Sequence, residues 1–127
     1  MKSPITPERD VQRSIIDYFA AVYRITLHRR NVGGMKGSHN GKTWFMRFGK
    51  PGMADLHGIE PKTGRAIECE VKAKGKHPSP DQFAWLGECR SLGAIAFYAD
   101  SLDMAIAEYE RQRRKPASEI IALMPVK

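Results

Sequence analysis

The chain has 127 residues, 42% of them hydrophobic and 28% charged, with a formal net charge of +7. A chain of that length suits one domain, residues 1–127, and can bury a core without disulfides, while the composition excludes a disordered polymer. The positive excess points to polyanions, nucleic acid before an anionic membrane surface, and no apolar run nears the ~18 residues of a membrane span.

Thr6-Pro7-Glu8 opens a first helix, with Thr6 as the cap, Pro7 at the first helical position and Glu8 at the positive end of the dipole. Val11, Ile15, Tyr18, Phe19 and Val22 recur at spacings of three and four and carry that helix to about Tyr23. ITLHRRN (25–31) alternates and reads as a strand. NVGGMKGSHNGK (31–42) is rich in glycine and basic residues without an apolar period, and reads as a mobile surface loop. TWFMRF (43–48) is strand-like. ADLHGIE (54–60), the turn PKTG (61–64) and RAIECEVKAKG (65–75) read as a hairpin over 54–73. Ser79 caps a helix, Pro80 sits at its first position and Gln82 lies three residues after Ser79, a capping-box pattern. Phe83, Leu86 and Arg90 continue on related faces, and Gly93 stops the helix. AIAFYA (94–99) is short enough for a buried strand. Ser101 caps a last helix through about Arg114, ended by Pro116, and EIIALMP (119–125) returns as a strand. There is no internal repeat. The order predicts an α/β fold, a mixed sheet covered by helices.

Cys69 and Cys89 stand twenty apart without a CxxC, and His28, His39, His57 and His77 have no close ligand spacing. Neither a disulfide framework nor a zinc ribbon is expected. The N-terminal MKSPITPERD holds no apolar leader, so a cytoplasmic location without membrane attachment is expected.

The stretch 65–75 concentrates the chemistry. Period two puts Ala66, Glu68, Glu70 and Lys72 on one face and Ile67, Cys69, Val71 and Ala73 on the other. Asp55 lies near the start of the first hairpin strand. Two carboxylates converging on one point repel, and a raised pKa or a bound cation relieves them. Hard oxygen ligands suit Mg2+ or Mn2+. A lysine beside them can hold or polarise an attacking water, a set suited to phosphodiester hydrolysis. Against this stands the ordinary meaning of alternating charges, a strand with one face in water.

GMAD at 52–55, ECEVK at 68–72, SPDQFAWL at 79–86 and Gly93 before AIAFYA together resemble the PD-(D/E)xK nuclease superfamily, and within it the virus-type replication-repair (VRR-NUC) branch. The resemblance covers about residues 6–107. It implies a restriction-endonuclease-like mixed sheet with an α-β-β-β-α-β core. It also implies Asp55 and Glu70 as metal-binding acids, the Val71 carbonyl as a further ligand, Lys72 as the catalytic lysine and Gln82 reaching the site from its helix. Glu8 matches the glutamate that often completes such sites. Ala54 stands where the superfamily name has proline. Gln82 has a rival role as capping-box partner, and one side chain cannot easily serve both. Glu68 is expected at the periphery, where it could serve a second metal. Trp85, with Phe83 and Leu86, is expected in the core or at a dimer contact, and His77 as a solvated residue near phosphate.

The expected activity is a Mg2+- or Mn2+-dependent DNA endonuclease acting on branched or flapped duplexes, a Holliday-junction-resolvase-like homodimer. Small members of such families are often phage proteins, which would place this one in a host cytoplasm. Lys36, Lys42, Lys74 and Lys76 are the candidate phosphate contacts, and Arg111 to Lys115 divide between a DNA contact and an ordinary helix terminus. The alternatives are a restriction-like general DNA nuclease on the same fold, and a basic nucleic-acid-binding module in which Glu70 and Lys72 form a solvated ion pair.

Overall fold

The first helix follows from its apolar stripe. In the computed structural model, which describes residues 6–30, 33–48 and 50–115, α1 runs Glu8–Tyr18 and buries Val11 and Ile15. Its N-cap is Pro7, not Thr6, and no side chain closes that end. The helix continues as a π-helical turn, Phe19–Tyr23, which keeps Phe19 in the core. Arg24, in the left-handed region at φ 59°, ends it. The Tyr23 hydroxyl donates to Glu110 at 2.9 Å, tying this turn to the last helix.

Of the strand expected over 25–31, only β1, His28–Arg29, pairs. The segment 31–42, expected as a loop, instead supplies β2, Gly33–His39, antiparallel to β3, Lys42–Phe48. The reason is Asn40-Gly41, both at positive φ (52° and 76°), the backbone that a two-residue type I′ hairpin turn requires. This hairpin is a sheet of its own.

The main sheet has four strands in the order β1-β4-β5-β6, with β4 Leu56–Ile59, β5 Ala66–Val71 and β6 Ile95–Ala99. β4 is antiparallel to β1 and β5, forming the expected hairpin, whereas β5 and β6 are parallel. A parallel pair needs a crossover. Helix α2, Pro80–Ser91, supplies it, and α3, Leu102–Arg113, follows β6. The protein is therefore a mixed α/β fold, a four-stranded mixed sheet flanked by helices.

The two faces of β5 meet different layers. Ile67, Cys69 and Val71 join Leu56, Ile95 and Phe97 in the main core under α1 and α3, against Ile15, Phe19 and Tyr109. The opposite face lies under α2, where Ala54, Leu86 and Ala96 form a small second cluster. Along β6, the buried Gln112 of α3 caps the strand edge: its side-chain amide donates to the Ala96 carbonyl at 2.9 Å and accepts from the Ala96 N–H at 3.0 Å. The strand expected over 119–125 lies outside the described residues. Among the described residues, no helix is long and apolar enough to cross a membrane.

Candidate functional site

The hairpin β4–β5 stops pairing at Leu56 and Cys69. Beyond that point the two chains hold each other through side chains. The Val71 N–H donates to Asp55 Oδ2 at 3.0 Å, and the Asp55 N–H donates to Glu70 Oε2 at 3.2 Å. Each carboxylate thus closes the backbone gap beside the other, and the two carboxyl groups lie within hydrogen-bonding reach. Glu70 is only 2% exposed. Burial first, and then the charge of Asp55, push its carboxyl up to about 8, although Lys72 pulls the other way. Lys72 Nζ lies 3.6 Å from Glu70 Oε1.

Helix α2 completes the cluster from above. Ser79 accepts from the Gln82 N–H at 3.3 Å, and Gln82 Oε1 accepts from the Ser79 N–H at 2.8 Å, so the capping box forms. The same side chain turns its Nε2 to Glu70 Oε1 at 2.8 Å. The expectation that capping and site roles exclude each other is therefore wrong. An amide has two ends, and Gln82 uses its oxygen for the helix and its nitrogen for the site. The start of α2 is positioned by Gly52, at φ 90°, where an added Cβ would lie 2.6 Å from the Asp81 carbonyl oxygen. Only glycine allows that turn to dock there.

Glu68 stands beside that cluster. It is 5% exposed and bound by Arg30 through both guanidinium nitrogens, at 2.8 and 3.0 Å. The Trp85 indole N–H donates to it at 2.9 Å. Arg30 also donates to the Ala54 carbonyl at 3.1 Å, and its own N–H bonds the Asp55 carbonyl at 2.7 Å. Arg30, Glu68 and Trp85 therefore form a rigid frame that fixes the backbone on both sides of Asp55. These partners hold Glu68 in the frame of the site. The framing role of Arg30 was not expected; its one signal in the sequence was its place in the basic run HRRN (28–31).

The structure thus gathers Asp55, Glu70, Lys72 and Gln82, with Val71 at the same strand end. Glu8 stands within electrostatic reach of Asp55 and Lys72. It is exposed on the first turn of α1, yet near enough that Asp55 raises its carboxyl, after burial, and Lys72 lowers it. Among the described residues, no three His, Cys, Asp or Glu side chains form a metal-binding group. The side-chain donors are the two carboxylates, and the number suits Mg2+ or Mn2+, which take one or two carboxylates and keep several waters. Burial and Asp55 disfavour the ionised form of Glu70, and a hard divalent cation between the two carboxyl groups would relieve that repulsion.

Lys74 and Lys76 are exposed on the turn after β5, which is pinned by the Gly75 N–H donating to Asp100 at 2.9 Å. Lys36 and Lys42 are exposed on the strands of the β2–β3 hairpin, Lys42 directly after its turn. His77 is exposed, its Nδ1 3.2 Å from the Tyr98 hydroxyl. Compared with protein-family models and with curated proteins, the chain matches none.

Proposed function

We propose that the protein is a Mg2+- or Mn2+-dependent DNA endonuclease that hydrolyses phosphodiester bonds. The observation that carries this reading is the interlocked Asp55–Glu70 pair, buried under Gln82 with Lys72 beside it. A solvated ion pair, as in a binding module without chemistry, does not fit a Glu70 that is 2% exposed and whose carboxyl is pushed up by burial and by Asp55. The PD-(D/E)xK resemblance names the same residues, and a mixed sheet between helices is compatible with a restriction-endonuclease-like fold.

In this mechanism Asp55, Glu70 and the Val71 carbonyl would hold a divalent cation, which when bound would supply Lewis-acid stabilisation of the charge that develops on the phosphate. Lys72 holds the attacking water and neutralises that developing charge. Gln82 fixes the rotamer of Glu70. Arg30 and Glu68 keep the backbone of residues 54–55 in place. The preference for branched DNA, a resolvase-like action and pairing into a homodimer rest on the resemblance, since two symmetric cuts need two sites.

The test is cleavage of end-labelled four-way junction, flap and linear duplex DNA with magnesium, manganese or chelator. Metal-dependent cutting of the junction and flap, with the duplex spared, is the expected result. Equal cutting of all three keeps a general nuclease and removes branch selectivity. Tight binding without cutting in either metal overturns the nuclease reading.

A further inference from the structure

The net charge of the protein has one source. From Arg24 to Ala54 the chain carries seven lysines and arginines and no acidic residue, while the rest carries fourteen of each sign. The β2–β3 hairpin lies within this stretch and forms its own two-stranded sheet. An isolated hairpin is marginal in water unless something covers it.

Its described side chains have a pattern. Trp44 and Phe45 are neighbours on β3 and so point to opposite faces. They are 42% and 57% exposed. Phe45 pairs in register with Lys36, so these two share a face. Lys42 is two residues from Trp44 and shares the other. Each face therefore presents one exposed aromatic ring and one exposed lysine. The Trp44 ring lies across Gly37, where any Cβ would collide with it, so the ring is flat against the ribbon with its outer face open. Lys36, Gly37, Ser38, Thr43, Trp44 and Phe45 line a hollow of about 530 Å³. A protein core would cover one face of a ribbon and leave lysines at the rim. An aromatic and a cation on each of two faces instead matches a ligand with flat rings and a regular row of anions.

We propose that the β2–β3 hairpin is a nucleic-acid wedge: Phe45 and Trp44 stack on unpaired bases, of a single strand or at a branch point, while Lys36 and Lys42 hold the adjoining phosphates. The proposal shares with the nuclease reading the premise that the ligand is nucleic acid, and it does not require cleavage. Base–aromatic stacking is tolerant of sequence because every base has a π-face. The wedge thus selects for exposed bases and not for a base sequence, a device by which a nuclease can favour branched over closed duplex.

The experiment measures binding in chelator, so that cutting plays no part. Anisotropy of a fluorescein-labelled 20-mer single strand is compared with that of its closed blunt duplex. The variants are Phe45→Leu, Phe45→Trp and the double Lys36→Ala/Lys42→Ala, with circular dichroism as a check on the sheet. Phe45→Leu is expected to weaken single-strand binding about tenfold and Phe45→Trp to restore it, as stacking requires. The double lysine variant is expected to reduce the slope of log K against log salt by about 1.4, near 0.7 for each lost phosphate contact on a single strand. Trp44 emission is expected to be quenched by the strand and the quenching to disappear in Trp44→Phe. The proposal is overturned if Phe45→Leu binds as wild type, or if Phe45→Trp is as weak as Phe45→Leu. It is also overturned if Phe45→Leu loses self-association at unchanged nucleic-acid affinity, which would make the hairpin a contact between copies. Failure of metal-dependent cutting with these results intact would sink the nuclease reading and leave the wedge standing.

Discussion

Glu70 is a carboxyl group whose ionised form the fold disfavours. Its ordinary value is 4.5 and burial beside Asp55 lifts it to about 8. The folded state therefore binds a proton that the unfolded state has released between those values, and stability falls as pH rises from about 4.5 to about 8. Without metal, thermal unfolding should show that decline, and Glu70→Gln should flatten it. A wild-type profile that rises over the same range would contradict the buried pair. Divalent cation favours the ionised form, so manganese should stabilise the protein more at pH 8 than at pH 6. Calorimetry with manganese should give one class of site that disappears in Asp55→Ala. Glu68 is a different kind of acid. Glu68→Ala leaves the half-buried Arg30 without its carboxylate partner and should cost about 1.5–3 kcal/mol in denaturant unfolding. A loss under 1 kcal/mol would mean that Arg30 is not framing the site. The Glu70–Lys72 spacing was legible in the sequence because a strand has one period. The Arg30–Glu68–Trp85 frame was not, since it joins residues 38 and 17 positions apart that no local pattern connects.

Among the elements, α2 was the easiest to read, and its capping box formed as written. Local hydrogen bonds decide such starts, so a short motif carries the information. Ser79→Ala removes the cap and should destabilise the protein by about 1 kcal/mol. The Ser79 N–H that holds Gln82 Oε1 is a backbone group and survives that change, so Gln82 should still reach Glu70 and metal affinity should be unchanged. A loss of metal affinity in Ser79→Ala would show that the hydroxyl also positions Gln82. The first helix was legible to its end, but not the π-helical turn, because the apolar spacing is the same whichever ladder the backbone adopts. The β2 strand was misread for a specific reason. Its glycines argued for a loop, yet the Asn40-Gly41 pair was a hairpin signal, and turn chemistry outweighed strand propensity. β1 fell short of its expected strand because only two of its residues find a partner on β4.

At the scale of the molecule, the sheet divides the work. One face is a continuous apolar core beneath α1 and α3, and the other carries Glu68 and Glu70 into the space under α2. The alternation in β5 foretold two unlike faces, but it could not show that the charged one is buried. Only the crossover that lays α2 over it does that. The basic stretch between Arg24 and Ala54 then sets the hairpin and the sheet edge beside Asp55 in one cationic segment of chain. Single-turnover cleavage of a four-way junction in manganese by wild type and Lys72→Ala decides whether this cluster is catalytic. Wild type should cut only with metal, and the variant at least about a hundredfold more slowly with DNA binding retained, the scale of a lost proton-handling or charge-stabilising group. Equal rates in the two proteins, or cutting that persists in chelator, would contradict a catalytic role.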